Sequence, residues 1–133
     1  MIGLIIVTHC DLGRELLNAA KFIVGPIEAV ETIAINQNSD SSELLKTIEK
    51  KITTLNKGEG VLILTDMFGG TPSNLSLSFL KEEKVEVLTG VNLPMLIATV
   101  QTRTKLPLSE LAEKAQEAGK MGISLAGKLL ESG

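Results

Sequence analysis

Short runs of consecutive apolar, often β-branched residues alternate along this chain with longer stretches in which apolar residues return every three or four positions. The first run, Ile2 to Val7, predicts a buried strand. From Asp11, a candidate N-cap, the spacing turns helical to about Val24, with Leu12, Leu16, Leu17, Ala20 and Ile23 on one face; Gly25-Pro26 stops it. Ile27 to Ile35 alternates apolar and polar residues and predicts a second strand, and Asn36 to Ser42 is a polar loop. A second helix follows to about Asn56, with Leu44, Leu45, Ile48 and Ile52 as its stripe and Glu43, Lys46, Glu49, Lys50 and Lys51 outside it. After a turn at Gly58–Gly60, Val61 to Thr65 is a third strand, apolar on both faces as central parallel strands are. The segment Asp66 to Asn74 leads into a helix ending near Leu80, and Val85 to Leu88 is a fourth strand. Gly90 through Pro94 opens a helix to about Thr102, and Pro107 to Gly119 is the last clear helix, with Leu108, Leu111, Ala112 and Ala115 inward. Met121 to Leu130 fits two patterns: Ile123, Leu125 and Leu129 suit a strand, while Ile123, Ala126 and Leu130 suit a helix.

Strands and helices that alternate with short connections predict an α/β protein. The expected architecture is a doubly wound, mostly parallel sheet of order 2-1-3-4 with helices on both faces. The C-terminal segment is left open, an antiparallel edge strand being one of its two options. No internal repeat, low-complexity tract or linker divides the chain, so residues 1–133 are expected to form a single domain.

Composition narrows the function. Hydrophobic residues make up 44% of the chain but aromatics only 2%, so the core is aliphatic, and platforms that stack bases or flavins are disfavoured. A net charge of −3 without a basic stripe argues against nucleic acid. The single cysteine, Cys10, excludes an internal disulfide framework and reads as a small buried filler. No apolar run reaches the length of a membrane span, and no basic leader precedes the first strand. The expected compartment is the reducing cytoplasm.

Ligands of open parallel sheets bind beyond the carboxyl ends of the strands, where strand order reverses. The only histidine, His9, follows the first strand and Asp66 follows the third, so the two should face each other there. An imidazole nitrogen is a nucleophile near neutral pH. A carboxylate on its other nitrogen fixes the tautomer and stabilises the positive charge that develops during attack. Gly69 and Gly70 allow close backbone approach to an anion. Thr71 as N-cap and Pro72 at the first helical position would start a helix whose free amides attract that anion, with the Thr71 and Ser73 hydroxyls as added donors. Each feature has a blander reading: an exposed histidine, a local cap at Asp66, a strand-to-helix turn at Gly-Gly-Thr-Pro. Met67, Met95 and Met121 read as core or interface, and Asn92-Leu93-Pro94 as a further N-cap on the same rim.

Val7-Thr8-His9, the segment TDMFGGTPSN from Thr65 to Asn74 and the segment GVNLPML from Gly90 to Leu96 together resemble the enzyme IIA component of the mannose-type phosphoenolpyruvate:sugar phosphotransferase system. The resemblance covers nearly the whole chain. It implies that His9 is phosphorylated on Nε2, that Asp66 hydrogen-bonds Nδ1, and that Gly70 and Thr71 with neighbouring amides hold the phosphoryl group. It implies the carrier HPr as donor, a histidine on a IIB protein as acceptor, no cofactor, no metal and no insertion into the membrane. It also implies association with a membrane IIC/IID complex, and a homodimer of a kind in which the last strand lies at a sheet edge and can be exchanged between subunits, a role that would suit Met121 to Leu130, though the sequence does not say whether exchange occurs. Some relatives continue into a IIB domain after an Ala/Pro-rich linker. This sequence stops at Gly133, so a separate acceptor is expected. Met67 stands where some relatives have a hydroxyl residue, and it receives no role.

Three alternatives remain at this level. One is a regulatory phosphocarrier uncoupled from transport. The second is the phosphoryl donor of a dihydroxyacetone kinase. The third is a non-catalytic doubly wound binding module. A receiver domain is disfavoured by the missing acidic pair after the first strand, and a flavodoxin by the missing hydroxyl-rich loop and aromatics.

Overall fold

A computed structural model of the chain describes residues 1–131. In chain order the elements are β1 (Gly3–His9), α1 (Leu12–Val24), β2 (Val30–Ile35), α2 (Ser41–Leu55) and β3 (Val61–Thr65). They are followed by α3 (Thr71–Leu77), β4 (Val85–Thr89), α4 (Leu93–Thr102), α5 (Leu108–Met121) and α6 (Ala126–Glu131). The four strands form one sheet in the order β2-β1-β3-β4, and every neighbouring pair is parallel. Strand β1 is central. Leu4 pairs with Val30 on one side and Leu62 on the other, and Val7 with Ile33 and Thr65.

The alternation of β1 divides the core in two. Leu4 and Ile6 face α1, α4 and α5, among Leu17, Ala20, Leu62, Leu64, Leu96 and Leu111. Ile5 and Val7 face the other way, against Ile48 and Leu44 of α2 and Leu75 of α3. A strand buried on both faces must be apolar throughout, which is why β1 and β3 read as unbroken hydrophobic runs.

Several local expectations change. Ile27 to Ala29 precede β2 instead of belonging to it. Ala29 sits at φ +53, which breaks the alternation and sends Ile27 into the α1 side of the core while Ile33 and Ile35 line the opposite face. On α1 the buried residues are Gly13, Leu17 and Ala20, with Leu16 and Val24 packed beside them, whereas Leu12 and Ile23 are exposed. Asp11 occupies the N-cap position without capping through its side chain. Its carboxylate accepts instead from Arg14 at 2.9 Å. Helix α3 ends at Leu77, three residues short of Leu80, where the Ser76 and Ser78 hydroxyls take the carbonyls of Pro72 and Leu75. Such back-bonding competes with helix continuation. Met121 to Leu130 takes the helical option in its second half, as α6, and among the described residues no strand forms there.

Candidate functional site

The site is built where β1 and β3 end side by side. Because Val7 pairs with Thr65, His9, two residues beyond Val7, and Asp66, directly after Thr65, emerge together at the carboxyl edge of the sheet. Asp66 Oδ2 accepts two hydrogen bonds from His9, one from the backbone amide at 2.9 Å and one from ring Nδ1 at 2.8 Å. Asp66 Oδ1 accepts from the Met67 amide at 3.0 Å. The carboxylate side chain is 11% exposed and the imidazole 47%. Burial alone would raise the Asp66 pKa. The hydrogen bonds from the His9 amide and ring, and the charge of the ring when protonated, outweigh it and hold the carboxyl below its ordinary value. An ionised carboxylate can only accept, so the proton of the neutral ring resides on Nδ1 and the Nε2 lone pair is left free.

Nε2 looks toward the turn into α3. Gly70 lies so close that a Cβ there would stand 3.0 Å from His9 Cε1 and 3.5 Å from Nε2. Gly69 turns at φ +89, and Gly70, in extended conformation, holds the N-cap position. Thr71 is therefore the first helical residue and not the cap, and the Asn74 amide is the one that returns to the Gly70 carbonyl. Thr71 is exposed. Ser73 is fully buried, and its hydroxyl has no partner among the described residues. The structure thus brings His9, Asp66, Gly70 and Thr71 together and turns the Ser73 hydroxyl inward. Met67 and Phe68 are exposed beside the histidine, Met95 is core and Met121 is exposed.

A groove of about 480 Å³ runs from His9, Cys10 and Thr71 to Asn36, Gln37, Ser39, Ser41 and Leu44 of the β2–α2 connection. A slightly larger hollow, about 520 Å³, lies at the opposite end of the sheet between Gly58–Glu59 and Lys105–Ser109, with no histidine in its walls. The first, with His9 and Thr71 in its wall, is the candidate site. Cys10 is exposed at the turn instead of buried, with φ +50, because its amide extends the β1–β2 ladder to the Ile35 carbonyl before the chain swings away. Sequence reasoning gave no role to Thr8 and did not see the groove wall from Asn36 to Ser39. A hydroxyl residue at the end of an otherwise apolar strand was the available signal for the former. The wall depends on a register between distant segments.

The adjoining rim is held by Asn92. Its Oδ1 accepts from the Met95 amide at 3.0 Å, capping α4 as expected, and its Nδ2 donates to the Gly119 carbonyl of α5 at 2.9 Å.

An open parallel sheet bearing a carboxylate-paired histidine at its switch point defines a doubly wound α/β protein. Residues 3–116 match the family model EIIA-man, described as "PTS system fructose IIA component". The chain belongs to the EIIA-man family of phosphotransferase-system IIA components. It is 33% identical over 124 residues to the PTS system mannose-specific EIIAB component of Escherichia coli K12, covering 92% of this chain and 38% of that one. It therefore spans well under half the length of that two-part relative. It is 26% identical over 132 residues to the PTS system fructose-specific EIIA component of Bacillus subtilis 168, covering 98% of this chain and 90% of the relative. Among solved structures, EIIA from Streptococcus agalactiae superposes with a TM-score of 0.88 at 29% identity, covering 96% of this chain and 99% of that chain.

Proposed function

We propose that this protein carries a phosphoryl group on His9 Nε2, taking it from the phosphohistidine of HPr and giving it to a histidine of a IIB protein that phosphorylates an incoming sugar. The observation that carries the reading is the Asp66 carboxylate on Nδ1, which leaves Nε2 unprotonated beside the Gly70–Thr71 turn. In the forward step the Nε2 lone pair forms a bond to phosphorus while the donor's nitrogen–phosphorus bond breaks and its electron pair returns to the donor imidazole. The Nδ1 proton stays donated to Asp66, which offsets the positive charge on the ring. The backbone at Gly69 and Gly70 and the Thr71 hydroxyl meet the phosphoryl oxygens, and Ser73 contributes through its amide rather than its hydroxyl. Positioning and electrostatics do the work. Donor and acceptor are chemically alike, so transfer is close to reversible.

The same reading takes residues 1–133 as one IIA domain, cytoplasmic and homodimeric, served by a separate IIB acceptor and a membrane IIC/IID complex. Exposed Met121, Ile123, Leu125 and Leu130 and the outer edge of β4 are compatible with a dimer contact. Incubation with phosphoenolpyruvate, enzyme I and HPr, followed by intact-mass measurement, tests the reading. One acid-labile, base-stable phosphoryl group should appear and be absent from His9→Ala. Its persistence in that variant, or no gain while HPr is phosphorylated, overturns the assignment.

A further inference from the structure

We propose that Thr8 is a positioning residue for His9, its buried hydroxyl setting the turn that aims the imidazole at Asp66; this rests on His9 being the phosphoryl-bearing group. Successive residues of β1 point to opposite faces, so Thr8 lies on the α1 side of the sheet while His9 lies on the α3 side. Thr8 is fully buried, and a hydroxyl there needs partners. It has two, both within the segment that follows the histidine. Oγ1 accepts from the Gly13 amide at 2.8 Å and makes a longer, weaker bond to the Cys10 carbonyl at 3.4 Å.

The first bond replaces the cap that Asp11 does not supply. Gly13 is in the first turn of α1, and its amide is satisfied by Thr8 across the turn. Thr8 thereby fixes where α1 begins relative to the end of β1. The fit is close on both sides, since a Cβ on Gly13 would lie 3.2 Å from Thr8 Oγ1 and 3.0 Å from Ile6 Cγ2.

The second bond acts on Cys10, whose φ of +50 is a left-handed conformation that side-chain-bearing residues seldom adopt unsupported. The Cys10 amide is tied to Ile35 at 2.9 Å and its carbonyl to Thr8, so the peptide groups on both sides of this residue are held. The His9 backbone is held between that turn and the hydrogen bond that its own N–H donates to Asp66. Freeing the turn allows the imidazole to swing about its backbone without loss of the sheet. The Nδ1 bond to Asp66 is the contact such a swing would break.

Thr8→Val keeps the shape and removes the hydroxyl, and Thr8→Ser keeps the hydroxyl. The deciding measurement is the nitrogen-15 spectrum of the His9 ring. The wild type and Thr8→Ser should hold the Nδ1–H tautomer, whereas Thr8→Val should gain a population protonated on Nε2. In single-turnover transfer from phosphorylated HPr, Thr8→Val should be about tenfold slower at saturating donor with unchanged half-saturation, and Thr8→Ser within about twofold of wild type. Gly13→Ala, which presses on the same hydroxyl, should move the ring spectrum in the same direction and stands in if Thr8→Val does not fold. An unchanged tautomer in a folded Thr8→Val or Gly13→Ala, with only a lower melting temperature, makes Thr8 a cap and overturns the proposal. If the wild type accepts no phosphoryl group from HPr, the functional reading fails, and the ring spectra still decide the role of Thr8.

Discussion

Asp66 asks one oxygen to serve two donors of the same residue, and most of what the site does follows from that choice. Replacing it with Asn substitutes an amide that can turn either its oxygen or its nitrogen to the ring, so the Nδ1–H tautomer is no longer enforced. Asp66→Asn should slow phosphoryl transfer by about a hundredfold while leaving HPr binding intact, measured by single-turnover kinetics beside a titration. The depressed Asp66 pKa also predicts a pH dependence. Its contribution to stability is complete above the ordinary carboxyl value of about 4 and is lost as pH falls through the lower folded value. Thermal melts of the wild type should therefore decline on the acid side in a way that Asp66→Asn lacks in part; parallel acid profiles would contradict this. At Gly70 the argument is steric. A methyl group 3.0 Å from His9 Cε1 must displace the ring, whose half-exposed side leaves room for it to shift at the expense of the Asp66 bond. Gly70→Ala should thus cut transfer at least tenfold with little change in melting temperature.

At the scale of elements, legibility tracked burial. Strands β1 and β3 were plain because both faces are covered, and α5 because Leu108, Leu111 and Ala115 are all buried on one face. The boundary of β2 was not legible, since one left-handed residue, Ala29, reverses which face Ile27 joins, and nothing in local alternation announces it. Asp11 takes the N-cap position that its type predicts, but the side-chain bond to the Gly13 amide comes from a hydroxyl five positions before that glycine. The His9–Asp66 pair was legible through strand order alone. The inward turn of Ser73 was not, because it depends on how α3 lies on the sheet. Packing of these elements carries its own prediction. Ile48, fully buried between α2 and the sheet, anchors the helix that borders the groove beside His9. Ile48→Ala should cost about 2–5 kcal/mol in denaturant unfolding.

Across the whole molecule the two ends of the sheet are specialised differently. The carboxyl ends of the strands hold the His9–Asp66 pair, and the amino ends hold a buried arginine. Arg103, 3% exposed at the end of α4, donates to the carbonyls of Glu28, Ala29 and Ile2. It joins α4, the start of β1 and the turn before β2 in one contact. Arg103→Met should lower unfolding free energy by about 2–3 kcal/mol, and leave the transfer rate of the folded fraction unchanged, since the loss lies a full sheet-length from His9. A rate loss matching that of Asp66→Asn would show the two ends to be coupled.

The shared oxygen of Asp66 makes the main chain a witness to the ring. Any charge arriving on the imidazole tightens its grip on Oδ2 and draws that oxygen away from the other donor it serves, the His9 peptide N–H. A charge on the side chain should thus be felt by a single backbone proton, whose resonance is expected to differ between the charged and the uncharged ring.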